Sequence, residues 1–366
     1  MPPSSRIPPL LQAYVRLPRD DSILLLTSTL GASANWLVIR FLCDALSSPP
    51  TTTTQDSDEE EHGGADVVLV SWMREYEFWR QEARKGGGLD LERLRREARF
   101  AFVDGLSTLF LPPPPPIERK EDEAERGSQG QAVGMVGRAG LPVRGPAPGR
   151  VGPVRGLAGT PAVAAAAAQT MTATAAISQA GSPSSTPGLY TLKSPDLAHL
   201  KATISSALMH IQSASSASTK RKTLLLLDNP DILLATVPSL SPSALTSTLL
   251  TLHTQASHIL VHMQADTPLL SLSTPPQPLE VAQHNFLVKM AHMSRRILSV
   301  RVLDTGVARD VSGVLRVTEN RESWVDLGFG GGKDEGKGEE QNRELLYLVK
   351  GDGSVRVFER GAGGEG

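Results

Sequence analysis

The sequence is poor in cysteine, in aromatic residues and in long apolar runs. Among its 366 residues there is one cysteine, Cys43, within an apolar stretch of helical length. A single cysteine in such a stretch argues against disulfide bonds and against a cysteine-based metal site. No apolar run approaches the length of a membrane span, and prolines interrupt residues 1–17 where a signal peptide needs its apolar region. These absences predict a reducing compartment, the cytoplasm and the nucleus, and no membrane association.

The chain also lacks a strong excess of either charge. Its formal net charge is -2 and its pI is about 6.5, so it has no overall basic field that would attract nucleic acid. Any RNA contact must therefore come from a local patch or from partner chains. The candidate patch is a short helix that Asp90 caps, with Leu91, Leu94 and Ala98 on its apolar side. The candidate RNA-contacting residues are Arg93, Arg95, Arg96 and Arg99. A solvated helix face balanced by neighbouring glutamates is the competing interpretation.

Two stretches lack the apolar residues that a core requires. Residues 47–64 are polar and acidic, and we expect a disordered surface loop there. Residues 112–188 run through proline, glycine, arginine and polyalanine, which predicts a disordered low-complexity insertion. The folded part is then one domain in two segments, 1–111 and 189–360, with a flexible tail at 361–366.

The most informative stretch is Ile23–Leu46, where an apolar strand, a small-residue turn and an apolar helix follow one another. In doubly wound α/β domains such a turn binds phosphate, because loop amides and the helix N-terminus converge on an anion. The phosphate-loop pattern G-x-x-x-x-G-K-[ST], laid on residues 28–35, fails at every defining position. Ala34 replaces the lysine and Asn35 replaces the magnesium-binding hydroxyl. We therefore expect a degenerate phosphate loop made of Gly31, Ala32, Ser33, Ala34 and Asn35.

The same turn also approximates the nucleophile elbow G-x-S-x-G, with Ser33 at its centre. Asn35 occupies the position of the second glycine, which the strained turn requires. An α/β-hydrolase also has several strands before its nucleophile, whereas only about twenty residues precede the strand that leads to Ser33. A helix-capping role for Ser33 or Asn35 is therefore favoured over catalysis.

The second predicted strand is Asp66–Ser71, and a helix over residues 72–85 follows it. More than half of the aromatic residues of the chain lie between Trp36 and Phe110. Such a concentration in an aromatic-poor chain is typical of a core and also of a subunit interface. On the predicted helix, Trp72, Tyr76 and Trp79 share one face, and Phe78 lies to its side. The candidate interface residues are Trp72, Tyr76, Phe78 and Trp79.

The second segment contains two further polar positions of interest. The strand Thr223–Leu227 is followed by Asp228, which is the Walker B pattern, where a carboxylate at the end of a strand holds magnesium through water. His258 and His262 lie on one face of the next strand, with only Asp266 near enough in sequence to act as a third ligand. A metal site there is disfavoured.

Strands that alternate with helices, followed by short alternating segments at the C-terminal end, define the predicted fold class. We expect an α/β, RecA-like single domain with a mainly parallel central sheet. The final segments Val311–Thr318, Leu345–Val349 and Ser354–Phe358 predict an antiparallel meander.

Four short motifs carry a resemblance to a known family. They are Leu30-Gly31-Ala32-Ser33-Ala34-Asn35-Trp36-Leu37, Val70-Ser71-Trp72-Met73-Arg74 with Phe78-Trp79, Phe102-Val103-Asp104-Gly105-Leu106 and Leu226-Leu227-Asp228-Asn229-Pro230-Asp231. In these motifs the chain resembles the sixth subunit of the Elongator complex in its fungal form.

The resemblance implies a RecA-like subunit that forms a heterohexameric ring with the fourth and fifth Elongator subunits. Such a ring contacts tRNA and supports modification of the wobble uridine, while the chemistry belongs to a different subunit. The chain would then be a non-catalytic pseudo-ATPase without a cofactor of its own. The alternative is an ATP-using enzyme of the recombinase or circadian-clock type. The two classes differ in what they require of the phosphate loop, and the missing lysine and hydroxyl favour the first.

Overall fold

The computed structural model describes residues 6–47, 64–109, 186–214, 221–271, 273–306, 308–320 and 342–360. Residues 1–112 and 183–366 form one compact unit, and the second unit, 113–182, lies outside the described residues. The predictions of disorder for the acidic loop, the insertion and the tail fall almost entirely on residues outside this range, and they stay predictions.

The described strands form one sheet in the order β10-β9-β8-β7-β1-β6-β5-β2-β3-β4. They are β1 Ser22–Ser28, β2 Asp66–Ser71, β3 Phe100–Asp104, β4 Leu189–Thr191, β5 Thr223–Asp228, β6 His258–Gln264, β7 Ser294–Arg301, β8 Gly313–Glu319, β9 Asn342–Val349 and β10 Val355–Glu359. Neighbours from β7 to β4 are parallel, and β7 to β10 are antiparallel. This confirms the predicted fold class, a mainly parallel RecA-like sheet with a C-terminal antiparallel meander.

Helices cover both faces of this sheet. The first group is α1 Pro9–Val15, α2 Asn35–Ser47, α3 Tyr76–Glu82, a π-helix Ala83–Gly87 and α4 Leu91–Arg96. The second group is α5 Leu197–Ala214, α6 Ile232–Thr236, α7 Pro242–His253, α8 Thr267–Leu270 and α9 Pro278–Met293. Successive side chains of a strand point to opposite faces, so Leu24 packs in the core beneath α2 and Leu25 in the core beneath α5. We call these faces the α2 side and the α5 side.

Helix α2 is buried nearly all round, as its uniformly apolar sequence predicts. Its one basic residue, Arg40, is 1% exposed. The Arg40 guanidinium donates from Nη1 to the carbonyl oxygen of Gly86 at 2.6 Å and from Nη2 to that of Gly353 at 2.9 Å. Arg40 thereby joins the π-helix to the turn between β9 and β10.

Two predicted helices have different bounds in the structure. The prediction of a helix from Trp72 is wrong, because the Trp72 amide still donates to the Asp228 carbonyl and the helix begins only at Tyr76. Trp72 consequently packs on the α5 side and Trp79 on the α2 side, so these two residues do not share a face. The helix that Asp90 caps ends at Arg96, since Ala98 has a left-handed φ of 51° and turns the chain toward β3.

Candidate functional site

The Walker B-like Asp228 is the centre of a buried polar cluster at the carboxyl ends of the parallel strands. Asp228 is the last residue of β5 and is 1% exposed. The Ser71 hydroxyl, at the end of β2, donates to Asp228 Oδ2 at 2.6 Å. The other carboxylate oxygen, Oδ1, lies 2.7 Å from Nδ1 of His262 on β6. Both oxygens of the carboxylate are therefore engaged by side chains of the same chain.

His262 continues this cluster to the strand that precedes the degenerate loop. Its Nε2 lies 2.8 Å from the hydroxyl of Ser28, the last residue of β1. A neutral imidazole that donates from Nδ1 to the carboxylate accepts at Nε2 from this hydroxyl. Ser28 also lies 3.3 Å from Gln264 Oε1. The chain of hydrogen bonds thus ties the ends of β2, β5, β6 and β1 together.

The order serine, histidine, aspartate is that of a hydrolytic triad, but its surroundings are those of a core. Ser28, His262 and Asp228 are 2%, 3% and 1% exposed. A nucleophilic serine must reach a substrate carbonyl, and a residue buried to this degree has no such access. Ser33, the serine of the elbow pattern, instead accepts the backbone N–H of Asn35, the first residue of α2, at 3.3 Å in a local turn.

The degenerate phosphate loop forms a tight turn between β1 and α2. The Ala32 amide donates to the Thr29 carbonyl at 2.9 Å, and Gly31 has a φ of 86°, which favours glycine. Ala32 and Ala34 are buried. The Leu30 amide donates to the carboxylate of Asp266 at 2.6 Å, so a backbone donor of the loop is already bound to an acidic group of this chain.

A second buried carboxyl group, Asp231, lies just beyond the same strand end. Its Oδ2 accepts from Gln283 Nε2 at 2.9 Å and from the Gln264 amide at 3.3 Å, while Oδ1 lacks a partner among the described residues. Burial raises the pKa of Asp231 above its usual value. The preceding Asn229 is 2% exposed and has a left-handed φ of 60°, a conformation that costs energy outside glycine.

The two histidines that sequence reasoning paired do not form a metal centre in the described part of the chain. His258 Nδ1 lies 3.3 Å from the Ser22 hydroxyl, and burial lowers the pKa of His258 to about 4. His262 faces Asp228 and Ser28, while Asp266 binds the Leu30 amide. No cluster of three His, Cys, Asp or Glu side chains suited to a metal ion occurs in the described ranges.

The four candidate RNA-contacting arginines divide into two pairs. Arg95 is buried against Glu92 at 2.5 Å, and the Glu92 hydrogen bond raises the pKa of Arg95. Arg99 is only 11% exposed and lies 3.5 Å from Asp66. Arg93 and Arg96 are exposed, with 3.4 Å to Glu97 and 3.7 Å to Glu92. Of these four arginines, only Arg93 and Arg96 have guanidinium groups at the surface.

The four candidate interface aromatics also divide. Trp72 and Trp79 are 2% and 0% exposed, so both belong to the core of this chain and neither is available to a partner. Tyr76 and Phe78 are half-buried. The Phe78 ring meets Trp79 edge-on at 5.3 Å, and Arg74 lies over its face at 5.0 Å. The surface that remains for a partner is formed by Tyr76 and Phe78.

Sequence reasoning found Asp228 but missed the side chains that enclose it. The available signal was positional, because Ser28, Ser71 and His262 each lie at or near the end of a buried strand. The carboxyl ends of parallel strands meet at one edge of a sheet. The order of the strands was needed to show that these particular ends are neighbours.

The chain matches no protein-family model and no curated protein. Solved structures do match, among them a KaiC-like protein from the hyperthermophilic archaeon Pyrococcus horikoshii. The two share 10% sequence identity, with 97% of each chain covered and a TM-score of 0.47. A similarity at this level does not indicate a function, which has to be argued from the residues of the site. In the described ranges, no helix has the length and apolar character needed to span a membrane.

Proposed function

We propose that this chain is a non-catalytic, RecA-like subunit of an Elongator-type ring, built together with the fourth and fifth Elongator subunits. Its role is to support tRNA binding and wobble-uridine modification by the assembled complex, in the cytoplasm and the nucleus. The proposal combines the sequence resemblance of four motifs with the chemistry of the strand-end cluster. It requires neither a bound nucleotide nor a metal ion.

The observation that carries the proposal is the enclosure of Asp228. In a working site this carboxylate faces a magnesium ion through water. Here its two oxygens bind Ser71 and His262 at 2.6 and 2.7 Å. Recruiting a hydrated cation would break these buried hydrogen bonds, and each one that involves a charged group contributes about 1.5–3 kcal/mol.

The loop supports the same conclusion. Ala34 and Asn35 supply neither the lysine that would neutralise phosphate nor the hydroxyl that would bind magnesium. The carboxylate of Asp266 sits on the Leu30 amide and repels a further anion at that donor. The alternative, an ATP-binding enzyme, is favoured by the fold itself and by the strand-end position of Asp228.

Nucleotide titration separates these alternatives. Fluorescent ATP with magnesium should show no saturable binding to the purified full chain. Asp228→Asn serves as the matched variant, because an amide oxygen can still accept from Ser71. Micromolar ATP binding that a folded Asp228→Asn variant loses would refute the proposal and favour the ATP-using enzyme.

Assembly tests the second half of the proposal. The full chain, co-expressed with the fourth and fifth Elongator subunits, should elute as one complex that contains all three in equal numbers. Mass photometry gives the stoichiometry directly. Persistent separation of this chain from the other two, with its fold intact by circular dichroism, contradicts membership of the ring.

A further inference from the structure

The meander has one face that the cores of this chain do not use. On the α2 side, Leu315, Val317 and Leu345 belong to the main core. On the α5 side, the half-buried Leu346 and Leu348 belong to neither described core cluster. We call this second surface the outer meander face. It consists of the half-buried Leu346, Leu348 and Phe358 and the exposed Arg316 and Arg356, with Val314, which is 2% exposed, at its inner edge.

The strand register brings the apolar members of this face together. Val314 on β8 pairs with Leu346 on β9, and Leu346 pairs with Phe358 on β10. Leu348, two residues along β9, lies on the same face as Leu346. Neighbouring strands are about 4.8 Å apart. The result is an apolar strip whose half-buried part lies on β9 and β10, with the buried Val314 of β8 beside it.

Arginines border this strip. In the strand register, Arg356 lies opposite Leu348 and Arg316 lies opposite Glu344. Both guanidinium groups are exposed, and neither has an ion-pair partner among the described residues. Glu344 is shared by two other arginines, Arg301 and Arg360. The border therefore carries excess positive charge that this part of the chain does not neutralise.

Among the described residues, the helix layer of the α5 side stops before this strip. Helix α9 packs on β1 and β7, and α5 packs on β2 and β3. Sheets in α/β domains bury an apolar face beneath a layer of helices. An apolar centre bordered by arginine and an aromatic residue is also the composition of protein interfaces. One more helix, with acidic residues flanking its apolar stripe, would extend the layer over the strip and pair with the free guanidinium groups.

We infer that the outer meander face binds an acidic amphipathic helix of a neighbouring subunit, an inference that rests on the proposed function for the identity of that subunit. A single-stranded nucleic acid fits less well, because Phe358 is the one aromatic platform on the strip and Glu344 repels phosphate. A second copy of this chain fits less well too. A two-fold contact would place the arginine border against itself.

Charge reversal tests the inference in the three-subunit complex. The double variant Arg316→Glu with Arg356→Glu should weaken assembly with the fourth and fifth subunits at least tenfold. The matched control is Lys201→Glu with Arg309→Glu, two exposed cations outside the outer meander face, which makes the same change in charge and should stay within twofold. Circular dichroism and the melting temperature of each isolated variant report on folding. Equal affinities for the two double variants, with both folded, overturn the inference.

Site-specific photocrosslinking gives a second, independent readout. A benzoylphenylalanine in place of Leu348 should crosslink to one helical segment of a partner subunit that carries Asp or Glu beside its apolar residues. A crosslink to RNA, to a second copy of this chain or to no molecule in an intact complex would overturn the inference. Each of those outcomes leaves the proposed function standing, whereas failure of the wild-type chain to assemble refutes that function instead.

Discussion

Replacing Arg40 by methionine should destabilise the chain substantially, although Arg40 is far from the strand-end cluster. The guanidinium group bonds the carbonyl oxygens of Gly86 and Gly353, and it is 1% exposed. Burial lowers the pKa of Arg40, with Cys43 acting in the opposite direction. Methionine keeps most of the apolar stem and removes both hydrogen bonds, so the variant isolates the polar contribution.

The magnitude follows from two opposing effects. Two hydrogen bonds from a charged group contribute about 1.5–3 kcal/mol each, and both carbonyls are left unpaired. Removing the buried charge recovers part of this lost stability, because burying a charged group costs several kcal/mol of desolvation free energy. We expect a net loss of about 2–4 kcal/mol. At about 2–4 °C per kcal/mol for a domain of this size, the melting temperature falls by roughly 4–16 °C.

Arg40→Lys provides the graded comparison. An ammonium group lacks the planar fork that reaches two acceptors, so we expect about half of the methionine effect. Arg93→Met is the surface control, since the Arg93 pair with Glu97 is exposed and worth about 0.5 kcal/mol or less. Urea and thermal unfolding followed by circular dichroism measure all three. A melting temperature of Arg40→Met within about 1 °C of wild type would refute the assigned role of Arg40.

Three further outcomes are expected. The pKa of Asp231 is raised in the folded state, so its contribution to stability is present below the unfolded pKa and is lost as pH rises through the folded pKa. Asp231→Asn should therefore gain stability relative to wild type as pH rises from 4 to 7, measured by urea titrations. A difference in unfolding free energy that stays constant with pH would contradict this. Trp79→Ala should lower the unfolding free energy by about 3–5 kcal/mol and Phe78→Ala by about 1 kcal/mol, because Trp79 is fully buried and Phe78 is not. Equal losses of unfolding free energy in denaturant titrations would be inconsistent with their burial. Gly105→Ala would place a Cβ 2.8 Å from the Trp72 ring, and overpacking of this kind costs about 1–3 kcal/mol; an unchanged melting temperature together with unchanged Trp72 fluorescence would show that the ring has room to move.

The sequence by itself determined the elements that depend on local pattern. Asp66–Ser71 and Thr223–Leu227 are apolar segments with polar residues at their ends, and the structure has strands there, the second one residue longer, to Asp228. Ser241 caps α7 by accepting the Ala244 amide at 3.1 Å, as a serine before Pro242 predicts. Short apolar runs and helix caps involve residues within a few positions of one another, which is why single-sequence reasoning reaches them.

Tertiary structure decided where the helical pattern after β2 begins. The spacing of Trp72, Tyr76 and Trp79 fits a helix, but the Trp72 amide is held by the Asp228 carbonyl of a neighbouring strand at 3.1 Å. That hydrogen bond joins residues far apart in sequence, so no local pattern reports it. It assigns Trp72 and Trp79 to opposite sides of the sheet.

The difference between local and long-range contacts also explains how much of the candidate site the sequence reveals. The loss of the phosphate-binding residues at Ala34 and Asn35 is visible in the sequence, since a motif is a local property. The enclosure of Asp228 is not, because Ser71 is 157 positions and His262 is 34 positions away from it. Only the order of the strands, with β5 between β2 and β6, brings these three side chains together.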